Sequence, residues 1–74
     1  MSEVTNAWYV CRHRKNYQFL WIAFETWEHT VDFHGAYKFF SVAQIVDFFN
    51  WQGRDLSKYV ILRCEATLIV EEAE

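Results

Sequence analysis

Phe40-Ser41-Val42-Ala43-Gln44-Ile45-Val46-Asp47-Phe48-Phe49-Asn50-Trp51-Gln52-Gly53 is the stretch whose reading decides the fold. Ser41 carries the short hydroxyl side chain that accepts from the free backbone N–H groups of a first helical turn, and Gln44, three residues on, can reach back in return. Phe40 and Ile45 are spaced to staple the helix entrance. Val42, Ile45, Val46 and Phe49 fall at i, i+3, i+4 and i+7, a single helical stripe, while Gln44 and Asp47 lie away from it. Gly53 supplies the residue that adopts a left-handed stop without steric cost. Phe48 and Trp51 widen the apolar arc beyond what one sheet face needs.

Downstream, Asp55-Leu56-Ser57-Lys58 reads as a loop or a single extra turn, and from Tyr59 the chain alternates with period two. Val60, Leu62, Cys64, Ala66, Leu68 and Val70 form one apolar set, with Arg63, Glu65 and Thr67 on the other side of a strand. Upstream, Trp8 to Arg14 is rich in aromatic and β-branched residues and runs into polar Lys15-Asn16, a strand entering a turn. Gln18 to Thr26 gives a second strand, with Phe19 to Glu25 apolar on both faces. A polar turn is expected around Trp27, Glu28 and His29, followed by a third strand over 30–34, where Val31 and Phe33 alternate with Thr30, Asp32 and His34. Gly35 interrupts it, and 36–40 is either an irregular strand or the lead-in to the helix. The order is βββαβ: an α+β domain with a three- to four-stranded, mainly antiparallel sheet and one helix packed on one face.

The 74 residues fit a single domain, 1–74, with 1–6 and 71–74 as loosely ordered ends. Four Trp, seven Phe and four Tyr make up 20% of the chain, more aromatic surface than so small a core can take in, so part of it is expected outside, either half-buried at the edge of the core or as a contiguous patch that marks a partner surface or a homodimer face. One helix covers one face of a sheet. The other face is then either solvated or a binding surface.

A formal net charge of −3 disfavours general nucleic-acid binding, which rests on neutralising phosphates. Arg12, Arg14 and Lys15 nevertheless cluster beside Tyr17, a combination suited to contacting phosphates and stacking bases, and they mark the alternative of a small nucleic-acid-binding module. No apolar run approaches the length that spans a bilayer, and Met1 to Ala7 is too polar for a secretory leader. A cytoplasmic protein with reduced thiols and no membrane association is expected.

No constellation carries chemistry. His13, His29, His34, Cys11 and Cys64 lack the close ligand spacing of structural zinc sites, so neither metal nor cofactor is expected. Ser41 is better explained as a cap and the cysteines as core residues than as nucleophiles, and Gly35 with Gly53 cannot build a phosphate loop. The expectation is a non-enzyme. Glu25, Glu28 and Asp32 concentrate acid on the hairpin beside Trp21 and Trp27, a pattern in which charge steers an encounter and aromatic anchors hold it.

Trp21-Ile22-Ala23-Phe24-Glu25-Thr26-Trp27-Glu28-His29-Thr30-Val31-Asp32-Phe33 resembles the hairpin of the small RNA-polymerase inhibitor carried by T7-like bacteriophages. In that family an aromatic-led strand turns through a Glu-His pair into a second strand with a carboxylate near its end. A helix ending in Trp51-Gln52 and a closing strand with Arg63 keep the corresponding order, so the likeness runs from about Trp21 to Arg63. The family engages polymerase with paired arginines in the closing strand, whereas here Arg63 is followed by Cys64-Glu65. The resemblance implies a phage-encoded, protein-binding inhibitor or modulator acting on a host complex in the bacterial cytoplasm. That complex would be RNA polymerase or, for a chain of the same physical profile, a defence nuclease complex of the kind blocked by anti-CRISPR proteins. Trp21 and Trp27 would anchor, Glu25, Glu28 and Asp32 would steer, and Arg63 would make a charge-assisted contact.

Overall fold

The structure, a computed structural model, describes residues 2–23 and 26–70, with side chains over 6–23 and 26–66. It is an α+β domain: β1 (Ser2–His13), β2 (Phe19–Ala23), β3 (Thr26–Thr30), a 3-10 turn at Phe33–Gly35, α1 (Val42–Gln52), a second 3-10 turn at Leu56–Lys58 and β4 (Tyr59–Val70). The four strands form one sheet in the order β3-β2-β1-β4, and every neighbouring pair is antiparallel. β1 and β4 are paired over their full lengths, from Ser2 opposite Val70 to His13 opposite Tyr59.

The helix boundaries follow from the capping chemistry. The Ser41 hydroxyl accepts from the Gln44 N–H at 3.1 Å, and the Gln44 side-chain oxygen accepts from the Phe40 N–H at 2.7 Å. At the other end Gly53 sits at φ 67, its N–H reaching Asn50 O while Arg54 N–H reaches Phe49 O at 2.9 Å, the double closure of a Schellman turn. Asp55 begins the extra turn by accepting from the Ser57 hydroxyl at 2.6 Å and N–H at 3.0 Å, and these bonds hold its carboxyl below the usual range.

Between β1 and β2 the sheet is wedged open. The strands meet at the hairpin, where Arg12 is paired with Phe19 and His13 N–H bonds Gln18 O. Further on they part, and residues 37–39 enter the gap. Tyr9 N–H donates to Phe39 O at 2.8 Å, Phe39 N–H returns to Tyr9 O at 2.9 Å, and Tyr37 N–H donates to Leu20 O at 2.8 Å. The segment is therefore both of the things its sequence allowed: a short piece of strand and the lead-in to the helix.

The core lies where α1 crosses the sheet. Phe39, Ile45 and Phe49 close over Cys11, Leu20 and Tyr59, with Tyr9, Trp27, Phe48, Leu56 and Ile61 packed around them. Burial pushes the Cys11 thiol up to about 12, which makes it an inert apolar group.

Five expectations are corrected here. Trp27, Glu28 and His29 are not a turn but the centre of β3, opposite Ile22, Trp21 and Leu20 respectively. Burying Trp27 outweighs the polarity of its neighbours; residues 24 and 25, which the expected second strand included, lie outside those described. The third strand does not occupy 30–34, because the Asp32 carboxylate turns to accept from His34 N–H at 3.0 Å and caps a 3-10 turn instead. Phe40 does not staple the helix; it is 79% exposed while its neighbour Phe39 takes the core position. Val42 and Val46 are also exposed, so the helix is rolled towards Phe48 relative to the stripe read from spacing. Finally, the apolar set of β4 does not face the helix. Tyr59 and Ile61 do, which places Val60, Leu62 and Cys64 on the open side.

Phe49→Ala is expected to lower the unfolding free energy by about 3–5 kcal/mol, and Ser41→Ala by about 1 kcal/mol. Urea unfolding followed by circular dichroism measures both. A loss smaller for Phe49→Ala than for Ser41→Ala would remove that ring from the core.

Candidate binding surfaces

Strand register assigns side chains to faces. On the side away from α1, Trp21 stands opposite Glu28, Arg12 opposite Phe19 and Val60, Val10 opposite Leu62, and Trp8 opposite Cys64. No described helix or strand packs across this face, but its side chains cover one another: Val10 at its centre is buried and Trp8, Phe19, Trp21, Val60, Leu62 and Cys64 are half-buried, with further side chains at the edges. Phe33 meets Phe19 edge-to-face at 5.5 Å, Lys38 places its ammonium 5.1 Å from the Trp8 ring, and the Arg12 guanidinium lies 5.4 Å from the Tyr17 ring. Trp8, Lys38, Phe40 and Ala66 border a shallow cleft of about 440 Å³.

The other side of the hairpin is committed to packing. Trp27 stacks on Phe48 at 5.9 Å, meets Phe49 edge-on at 5.2 Å and carries the Arg54 guanidinium 4.7 Å from its ring. Its indole N–H donates to the Tyr59 hydroxyl at 3.2 Å, and that hydroxyl lies 2.7 Å from His29 Nε2. Tyr59 accepts from Trp27, and its hydroxyl proton can go to His29 Nε2 when that nitrogen is unprotonated. Burial lowers the His29 pKa first, followed by the nearby His13, with Glu28 opposing and Arg54 adding a little more. Beyond Trp27 a cleft of about 520 Å³ opens between hairpin and helix, with Trp51 80% exposed at its rim.

A third surface forms at the β1–β2 end. His13, Arg14, Lys15, Ser57 and Lys58 line a cleft of about 550 Å³, and Arg14 Nε donates to Ser57 O at 3.0 Å. The neighbouring Tyr17 is held at φ 60, a left-handed conformation rare for a bulky residue, and is 66% exposed. Arg12 Nε is buried without a hydrogen-bond partner among the described residues.

The residues singled out in the sequence are thus distributed over several places. Trp21 and Glu28 are brought face to face on the open side. Trp27 points the opposite way, Asp32 is occupied as a cap, and Glu25 lies outside the described residues. Arg63 is separated from the hairpin by β1 and is paired with Glu65 at 2.7 Å. Arg12, Arg14, Lys15 and Tyr17 do gather at one end, where the fold adds Lys58. Sequence reasoning missed Trp8, Lys38 and Phe40 as one group, because only the wedge of 37–39 brings them together. It also passed over Arg54; the excess width of the helix arc at Phe48 and Trp51 was the available signal.

No group of three or more His, Cys, Asp or Glu residues able to hold a metal occurs among the described residues, and no described helix is long and apolar enough to cross a membrane. Comparison with protein-family models, curated proteins and solved structures returns no match.

Because folding favours neutral His29, the unfolded chain takes up the proton first as pH falls below the ordinary histidine value of about 6.5. The stability gained is complete above that value and is lost as pH falls towards the lower folded pKa. The urea midpoint should therefore drop between about pH 7.5 and about pH 5.5, with a smaller drop in His29→Gln. An identical pH slope in the variant would remove His29 as the cause. Tyr17→Gly should raise stability by about 1 kcal/mol by relieving the left-handed backbone.

Proposed function

We propose that this chain is a non-enzymatic protein-binding domain, an inhibitor or modulator of a larger host complex, that docks through the open face of its sheet. The observation that carries this reading is the sheet face turned away from α1, where Trp8, Phe19 and Trp21 lie half-buried among Val60, Leu62 and Cys64 around a buried Val10. Half-buried aromatics on a rigid, flat support provide large contact area at little cost in side-chain freedom. Glu28, directly opposite Trp21, adds charge beside the central anchor. Trp27 acts indirectly, by holding the hairpin against the helix. The resemblance to the inhibitors of T7-like phages makes bacterial RNA polymerase the first partner to test, and a defence nuclease complex the second.

The test is capture of purified polymerase, and separately of bacterial lysate treated with nuclease, on the immobilised chain. Trp21→Ala should weaken capture by about 2 kcal/mol or more, roughly 30-fold, with unfolding unchanged. Unaltered binding by a folded Trp21→Ala, Glu28→Ala variant would remove the open face as the site.

A second reading rests on a different observation: the basic cleft of Arg14, Lys15 and Lys58 beside exposed Tyr17 and the unsatisfied Arg12 Nε. It describes a single-strand nucleic-acid contact in which phosphates meet the cations and a base stacks on Tyr17. Binding would then fall steeply with salt and be lost on Lys15→Glu, Lys58→Glu substitution. Absence of a low-salt gel shift with DNA and RNA oligomers would eliminate it.

A further inference from the structure

β4 is an edge strand twelve residues long with β1 on one side and no described strand on the other. The direction of its free hydrogen-bonding groups can be derived. Tyr9 spends both backbone groups on Phe39, on the side of β1 away from β4. Its neighbours Trp8 and Val10 therefore aim theirs at β4, where they face Cys64 and Leu62. Arg14 N–H bonding Lys58 O continues the same parity. It follows that Ile61, Arg63 and Glu65 direct their N–H and C=O groups off the open edge. A long edge of this kind is a template for another strand, and proteins that avoid pairing blunt it with proline, bulges or lone inward charges. The chain contains no proline at all.

The charges on β4 are arranged to match rather than to repel. Arg63 and Glu65 flank Cys64, so an antiparallel pairing of two β4 strands about a twofold axis at Cys64 sets each Arg63 opposite Glu65 of the second copy. The neighbouring symmetric registers of the same parity, with the axis at Arg63 or at Glu65, instead oppose Arg63 to Arg63 or Glu65 to Glu65. All three registers join residues whose backbone groups point outwards, so hydrogen bonding permits the Cys64 alignment and charge selects it.

The molecule is also elongated. The radius of gyration is 15.0 Å, with extents of 50 × 24 × 23 Å, whereas a compact chain of this length has a radius of about 11 Å. The accessible surface is 5719 Å², against about 4,900 Å² for a compact monomer of this mass.

We infer that this chain forms a symmetric dimer by antiparallel pairing of β4 with β4 of a second copy, centred on Cys64 and registered by reciprocal Arg63–Glu65 ion pairs. The eight strands make one continuous sheet, and the open face described above stays free on both copies. In each copy Arg63 and Glu65 already form a pair at 2.7 Å, and assembly closes the two pairs into a ring of four alternating charges.

Sedimentation of the reduced, full-length chain up to near-millimolar concentration tests the dimer, and charge reversal tests its register. Arg63→Glu alone places like charges opposite one another twice and should weaken association by about tenfold or more; Arg63→Glu with Glu65→Arg restores the complement and should recover it. These side chains are exposed, so circular dichroism should show unchanged folding. In parallel, diamide oxidation should give a Cys64–Cys64 disulfide dimer that Cys64→Ser abolishes and Cys11→Ser leaves intact, since cross-strand pairs without hydrogen bonds bring Cα atoms to about 4.5 Å. A monomer at all concentrations overturns the inference. So does a dimer insensitive to Arg63→Glu, or one that the double reversal fails to recover.

Discussion

The reciprocal hydrogen bonds between Tyr9 and Phe39 are the constraint on which the rest of the molecule depends. They place a segment with no strand of its own between β1 and β2, and in doing so fix the point from which the helix departs. With Phe39 pinned to β1, Ser41 caps two residues later, and Ile45 and Phe49 come down on Cys11, Leu20 and Tyr59. The same two bonds determine the outward aspect. Phe39 goes into the core, so Phe40 must go out, and Lys38 swings over Trp8 on the far face. Core packing and the composition of the open face are two results of one local pairing.

The distribution of aromatics follows from this geometry. The helix covers only part of one face, and its buried residues need partners mainly at the hairpin end of the sheet. Trp27, Phe48 and Tyr59 meet that need, joined by hydrogen bonds that satisfy the polar tips of the indole and phenol. Trp8, Phe19 and Trp21 fall on the opposite side by strand alternation, where no second helix or strand layer lies among the described residues and single side chains such as Phe33 and Lys38 meet them instead.

What was legible in the sequence was whatever local chemistry decides. Ser41, Gln44 and Gly53 mark the helix ends because capping involves atoms a few residues apart, and the alternation from Tyr59 marks β4 because period two is intrinsic to a strand. The basic cluster was legible for the same reason, since Arg12, Arg14 and Lys15 are near neighbours in the chain. What could not be read depended on distant partners. Glu28 and His29 look like turn residues until Trp27 is known to pack on Phe49, and Val60, Leu62 and Cys64 look like a core face until Tyr59 and Ile61 are seen to occupy it. The split of Trp21 from Trp27 is the one-residue parity of a strand, which composition does not fix.

The full-length ladder between β1 and β4 has a kinetic consequence. It joins the first and last elements of the fold, so its contacts span nearly the whole chain, whereas the β2–β3 hairpin and α1 need only near neighbours. Loop closure over such a span costs more entropy than closing the hairpin or the helix, so the ladder is expected to form after them. During synthesis β1 waits for β4 to leave the ribosome, and until then its backbone groups on that side remain available to any other strand. The stretch of sequence that completes the fold therefore covers the edge of β1 and presents the edge of β4 in its place.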